Sequence, residues 1–524
     1  MSRGCRMALG LVGLAALLLA APDTRAQTDV LVSHYDSGRT SANLSETTLS
    51  VQNVNSGTFG KLYSVPVDGY LYAQPLYKSN VTIAGKGTFN VVFAATEHGS
   101  VYAFDATTAT PLWHRSFINP ATGLTSRPAN SSLEDLTPEV SITSTPVIDP
   151  ASGTLYVVAE TVQSGSAALY WLHALDMTTG ADKVPAVSVQ ASVGSGATPL
   201  NINAATSQQR PGLVLVNGAV YLAFGSNADN WPWVGWLVGY DATTLARVSV
   251  FCTSATGAQG AGIWSSGEAP PVDANGNIYV VTGNGTFNPA SGDWADSYLK
   301  LSTAGGLAVQ DYFTPFNQAA LGAADLDVAS AGFTLLPDAA GSATHPHLLI
   351  GTSKLGELYL VDRDNMGHFN GSYSTPNSQV VQWIPNAVGG ITTFPTNAPL
   401  PYIENSYTSP AYWQQRVYFC GIGEGCKSYA MTNGLLNTTP ASRAAAVFGF
   451  SGGEPVVSAA SGTATSAVLW AIESDATDNL AVLHAWDATN LTSELYNTRQ
   501  AANQRDTAGA PVKFTVPTVA NGQV

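Results

Sequence analysis

One short pattern recurs along this chain and limits what it can fold into. Residues 100–113 read SVYAFDATTATPLW, 169–180 LYWLHALDMTTG, 235–244 GWLVGYDATT, 356–365 GELYLVDRDN and 481–490 AVLHAWDATN. Each is an apolar strand closed by Asp and a Thr/Asn/Gly turn, where the carboxylate accepts backbone N–H bonds that the strand end leaves open. Weaker copies without the Asp lie at 297–305 and 427–434. The clearest turn residues, Asp105, Asp176 and Asp241, are 71 and 65 residues apart. A period of this length is the mark of a radial or solenoid array of one supersecondary unit.

Two more strand-like runs precede each copy. They pair as 75–77 with 90–95, 145–149 with 154–160, 212–217 with 219–225, and 270–274 with 277–283. The series continues as 333–337 with 347–352, 409–413 with 416–421, and 454–459 with 467–473. With the short strand after each turn this makes seven four-stranded units, and radial repetition of such sheets predicts an all-β propeller. An eighth inner strand is expected at 515–521, TVPTVAN. The unassigned run 59–67, FGKLYSVPV, is expected to serve as the outer strand of that incomplete eighth blade and so close the ring. The reading is therefore an eight-bladed propeller occupying 27–524 as one domain.

Composition agrees with a turn-rich β protein: 50 Gly and only 11% charged residues in 524. The formal charge of −15 and the absence of Lys/Arg clusters exclude nucleic acid as a partner. Arg3 and Arg6 precede an apolar run from Met7 to Ala21, and Thr24-Arg25-Ala26 offers a small-x-small cleavage site. Residues 1–26 thus read as a secretory signal, with no membrane span after its removal and a periplasmic or secreted destination. In that compartment Cys420 and Cys426, flanking a Gly-rich turn, suit a hairpin disulfide, and Cys252 reads as a buried apolar residue. No Cys-x-x-Cys-His occurs, so no covalently attached haem is expected.

The stretch 262–288, GIWSSGEAPPVDANGNIYVVTGNGTFN, concentrates the chemistry. Trp264 sits among glycines, a turn at Asn275-Gly276 leads into a strand, and that strand ends by presenting Asn284 between Gly283 and Gly285. The units ending Y/L-x-A-x-D-x-x-T-(T)-G, with Trp113 a few residues after the first, resemble the repeats of the pyrroloquinoline-quinone (PQQ) quinoproteins over nearly all of 59–524. In the dehydrogenases of that family a Trp closing a glycine run forms the floor under the quinone, and a Gly-Asn after the next strand supplies a metal ligand. Trp264 and Thr282-Gly283-Asn284 match these positions. Lys354, in GTSKLGELYLVD, matches the family's residue that polarises a quinone carbonyl. Asp325-Leu326-Asp327, downstream of Thr314-Pro315, matches its catalytic Asp, in an Asp-x-Asp form similar to the variant that binds a lanthanide. Two positions depart from the pattern. The slot of a metal-binding Glu holds Asn230, with Asp229 beside it, and the segment 130–139 lacks the vicinal cysteines of many alcohol dehydrogenases.

The resemblance implies PQQ and Ca²⁺ or a lanthanide as cofactors. It places Asp325 as the base, Lys354 as the donor, Trp264 as the stacking floor and Asn284, Asp327, Asp229 or Asn230 as cation ligands, acting on an alcohol or sugar. Read without it, the aspartates and Lys354 are solvated loop residues and Trp264 is a core side chain. The chain is then a non-catalytic secreted propeller whose Trp231, Trp233 and Trp236 would suit a protein or glycan ligand. The long connections 118–139, 369–401 and 497–510 are expected to be surface loops or covers of the site.

Overall fold

The computed structural model describes residues 1, 29–129, 136–194, 199–257, 260–391, 400–474 and 478–524. The signal segment expected at 1–26 lies almost wholly outside them. Among the described residues the chain forms seven blades in sequence order, each a sheet of four or five strands. Leu76–Ile83, Gly87–Thr96, Ser100–Asp105 and Pro111–Ser116 make blade one, each strand antiparallel to the next. Thr154–Gln163 and Ala168–Asp176 centre blade two, Ala219–Ser226 and Trp236–Asp241 blade three, and Ile278–Val281 and Tyr298–Ser302 blade four. Leu348–Thr352 and Leu358–Asp362 centre blade five, Arg416–Phe419 and Lys427–Thr432 blade six, and Val468–Glu473 and Val482–Asp487 blade seven.

The turn aspartates act as their spacing predicts. Asp105 Oδ1 accepts from Thr107 N at 3.0 Å, Asp176 Oδ1 from Thr178 N at 2.7 Å, and Asp241 Oδ1 from Thr243 and Thr244 N at 3.0 and 2.8 Å. Apolar clusters fill the gaps between neighbouring blades. Leu155 and Val157 of blade two pack with Leu76 and Val91 of blade one, and Val280 and Leu299 of blade four with Tyr221 and Leu237 of blade three. Each fully buried aliphatic side chain contributes about 1.5–3 kcal/mol, so sheet-on-sheet packing carries the fold. Cys420 and Cys426 are disulfide-bonded, and Cys252 is buried as a free thiol. No helix among the described residues is long and apolar enough to cross a membrane.

The ring has seven blades, which corrects the expected eight. Residues 59–67 and 515–521 form no ladder with each other. Phe59 instead stacks on blade seven, 5.4 Å from the Trp470 ring and 4.9 Å from Tyr496, and Val516 and Val519 enter the same apolar cluster. Their backbone donors go to side chains: Lys61 N to Asp506 Oδ1 at 2.9 Å and Val519 N to the Tyr35 hydroxyl at 2.6 Å. Pro66 and Pro517 each remove a ladder donor, and a strand without a hydrogen-bonded neighbour is not a strand. These segments wedge the gap between blades seven and one rather than build a blade there.

A feature absent from the sequence reading locks the ring from inside. Residues 30–43 thread past the first strands of the blades. Tyr77 and Val30 exchange two backbone bonds, and Leu31 O accepts from Ile148 N. Ser37 O accepts from Val272 N, Gly38 O from Leu335 N, Thr40 O from Tyr412 N and Ser41 O from Val457 N, all at 2.8–2.9 Å. One short segment can reach blades one, two, four, five, six and seven only along the axis, so the first strands are the inner ones. Arg39, 2% exposed, donates to the carbonyls of Ser33, Ala269 and Pro270 at 3.0–3.1 Å.

Candidate active site

Because adjacent strands are antiparallel, the loop entering an inner strand and the loop leaving the second strand lie at the same end of a blade, and the Asp turns lie at the other. A cavity of about 400 Å³ opens at the first of these ends. Asp229 and Asn284 reach it from second-strand exits of blades three and four, and Lys354 from that of blade five. Arg210, Trp264, Asp325 and Asp327, Tyr407 and Phe450 come from the loops entering blades three to seven, and Lys513 and Phe514 from the C-terminal wedge. Of the residues singled out from sequence, Trp264, Asn284, Asp325, Asp327, Lys354 and Asp229 line one cavity. Asn230 does not; it is exposed, and its amide donates to Asn227 O at 3.0 Å.

The glycines around Trp264 are steric necessities. A Cβ on Gly225 would meet the Trp264 ring at 2.9 Å, and one on Gly262 would meet its Nε1 at 3.1 Å. The indole therefore lies flat on backbone. Ser265 N donates to Ala329 O at 2.9 Å and Ser266 Oγ to Ser330 O at 2.5 Å, docking the Trp264 loop against the Asp327 loop.

Across the cavity Asp325 receives two bonds, from Asn284 Nδ2 at 2.7 Å on Oδ1 and from Lys354 Nζ at 2.9 Å on Oδ2. Its side chain is 55% exposed, on a backbone with φ 55° that follows the helix Gln318–Ala323. Lys354 is nearly buried, with Nζ 4.9 Å from the Tyr402 ring and 5.9 Å from Tyr407. Burial opposes its charge, yet Asp327 and Asp325 together hold its pKa well above the ordinary lysine value. Asp327 is buried, and burial pushes its carboxyl up to about 6, against Lys354 and helped by Asp325 and Asp229. Asn284 Oδ1 and Asp327 Oδ1 are both buried without a hydrogen-bond partner. Two such oxygens are costly unless something positive faces them.

Sequence reasoning missed several members. Asp296, fully buried behind Asp327, accepts from Gln318 Nε2 at 3.1 Å and Val328 N at 3.4 Å; burial, then Asp327, raise its pKa well above the carboxylate range. Arg210 lies 5.7 Å from the Trp264 ring and 4.2 Å from Phe514, and Lys513 5.5 Å from Phe450. The cavity thus has a cationic wall and an acidic wall with an aromatic floor between them. The pattern Tyr402-x-Glu404-x-x-Tyr407 held a usable signal, since it precedes the sixth inner strand as Asp325-x-Asp327 precedes the fifth. Among the described residues, no three His, Cys, Asp or Glu side chains converge as ligands of one metal ion. A cation here would rest on Asn284 Oδ1 and Asp327 Oδ1, an amide and a carboxylate oxygen of the kind that hard cations take.

No family model matches the chain, and no curated protein matches it by sequence. Solved structures do match its fold. A quinohemoprotein alcohol dehydrogenase from Comamonas testosteroni superposes with TM-score 0.58 and 15% identity, covering 94% of this chain and 75% of that one. A europium-containing methanol dehydrogenase superposes with TM-score 0.59 and 13% identity, covering 93% of this chain and 86% of that one. At these identities the likeness establishes a quinoprotein-like β-propeller fold.

Proposed function

We propose that this chain is an exported oxidoreductase that binds PQQ and Ca²⁺ or a lanthanide and oxidises an alcohol or sugar hydroxyl. The observation carrying this reading is the pair of orphaned buried oxygens, Asn284 Oδ1 and Asp327 Oδ1, on residues that line one cavity with Lys354 and Trp264. A flat ring bearing carbonyl and carboxylate oxygens fits a cavity with an indole floor, a lysine donor and a wall holding Arg210 and Lys513. When bound, PQQ with its cation would supply the two-electron acceptor that alcohol oxidation requires.

The chain's own residues would do the rest. Trp264 would offer its indole face to the ring, and Gly225 and Gly262 leave the indole the room to lie where it does. Lys354 Nζ donates to a ligand oxygen once it is released from Asp325 Oδ2. Asp325, exposed to the cavity and already gripped by Asn284, takes the proton of the substrate hydroxyl. Asp327, whose pKa burial raises, would be held ionised by a cation at this site. Asp229, whose Oδ1 accepts from Ser226 Oγ at 2.5 Å, is next to the slot of the expected Glu ligand and lines the cavity, so it would offer the remaining carboxylate. Such a protein works outside the cytoplasm, in keeping with the signal-like 1–26.

The test is reconstitution. The exported protein is incubated with PQQ plus Ca²⁺ or La³⁺, and dye-linked oxidation of alcohols and sugars is followed. Activity that depends on both additions supports the reading. Its absence across the panel leaves the alternative, a propeller that binds a glycan or protein without chemistry.

A further inference from the structure

A second cavity of about 560 Å³ continues from the first, sharing Asp229, Trp233, Asn284 and Gly322 with it. Trp231 and Gln318 complete the part of its lining that matters here. Trp233 lines both cavities and packs close to the Trp264 floor, since a Cβ on Gly262 would lie 3.1 Å from both its ring and Trp264 Nε1. Trp231 stands farther out and is 50% exposed, one of the largest apolar surfaces the chain leaves in water. Trp236, which the sequence groups with these two, is buried within blade three and takes no part.

We infer that this outer cavity is a subsite for a neutral saccharide unit, so that the hydroxyl presented at Asp325 belongs to a sugar or short oligosaccharide rather than to a small alcohol. An indole face suits the C–H face of a pyranose, whose hydroxyls need polar partners around the ring edge. Those partners are in place. Gln318, 7% exposed, is fixed by its Nε2 bond to Asp296, Thr286 lines the same cavity, and Asp229 stands at its junction with the first. An alkyl chain laid along the same wall would strip water from these groups and give nothing back. A phosphorylated or acidic sugar would meet Asp229 and is disfavoured. With a quinone in the first cavity, the outer one still leaves most of its space unused by an alcohol of one or two carbons. The catalytic consequence rests on the proposed oxidation, whereas the binding does not.

Calorimetric titration of the full-length, cofactor-free chain with maltotriose, cellotriose and mannotriose, each in turn, tests the subsite, with choline and 1-butanol in parallel. At least one trisaccharide binds, and Trp231→Ala weakens it about tenfold or more while circular dichroism shows the fold intact. Val248→Ala, exposed elsewhere on the surface, leaves the affinity unchanged. The inference is overturned if no trisaccharide binds at about 10 mM, if Trp231→Ala binds as tightly as the parent, or if choline or butanol binds and the saccharides do not. The readout needs no quinone, so failure of the redox reading and failure of the subsite are separate results.

Discussion

Asn284 Nδ2 donates to Asp325 Oδ1 at 2.7 Å, which turns Asn284 Oδ1 inward to a buried position with no partner. One hydrogen bond thus orients two groups. It steadies a carboxylate that is half exposed and leaves a carbonyl oxygen unpaired, as is Asp327 Oδ1 on the lining of the same cavity. With Asp325 as the base, Asp325→Ala lowers kcat of the reconstituted protein by about 10²–10⁴-fold. The thermal midpoint stays within a few degrees of the parent, because the removed side chain is half exposed and Asp327 still faces Lys354. Steady-state kinetics beside a melting curve checks both halves.

The floor is set by glycine. Gly225→Ala places a methyl group 2.9 Å from the Trp264 ring, which must tilt or shift. Overpacking of this kind costs about 1–3 kcal/mol. Here the expected result is weakened quinone retention with a smaller change in denaturant midpoint. Equilibrium dialysis with PQQ and urea unfolding of the same variant measure the two effects.

The axial segment 30–43 makes a stability prediction independent of any ligand. Arg39→Ala leaves the carbonyls of Ser33, Ala269 and Pro270 without their donor inside the ring. Each orphaned group costs about 1–3 kcal/mol, so the variant loses at least about 3 kcal/mol. Gly38→Ala also destabilises, since its Cβ would lie 2.9 Å from Leu335 O. Chemical denaturation monitored by fluorescence reads both.

Glu97 supplies the pH dependence. It is fully buried, and burial pushes its carboxyl from 4.5 up to about 7, opposed by bonds from Ser141 N and Thr143. Since the folded pKa is raised, the folded state keeps a proton that the unfolded chain releases. Glu97 therefore costs nothing below about pH 4.5, and stability falls as pH rises from there to about 7, by about 3 kcal/mol in all. In Glu97→Gln that part of the decline disappears. Unfolding free energies at half-unit pH steps, parent against variant, decide it.

The two ends of the propeller explain what could be read from sequence. The Asp turns repeat because five of the seven blades use the same cap after the third strand, and that shared requirement, with the strand pairs before it, makes the units visible. The site lies at the opposite end, where each loop supplies one or two side chains to a shared cavity and no two loops need be alike. Trp264, Asn284, Asp325, Asp327 and Lys354 were found through their resemblance to a family pattern. Arg210, Phe450 and Lys513 lie on loops with no repeating cue, and only the closed ring brings them together; Asp296, behind Asp327, carries no cue either. The eighth blade was over-read because apolar runs such as 59–67 and 515–521 carry strand composition whether or not a partner strand exists. The thread 30–43 was missed for the converse reason. Its small polar residues look like a surface linker, while its backbone does the bonding.

The most direct test of the account is stoichiometric retention of the quinone. The full chain is incubated with PQQ and La³⁺, passed through gel filtration, and its absorbance spectrum compared with that of Asp327→Asn treated alike. The account predicts about one quinone per chain in the parent, lost when La³⁺ is omitted and strongly reduced in the variant. A parent that emerges without quinone absorbance, or a variant that retains it equally, would contradict the assignment of Asn284, Asp327 and Lys354 to a quinone–cation site.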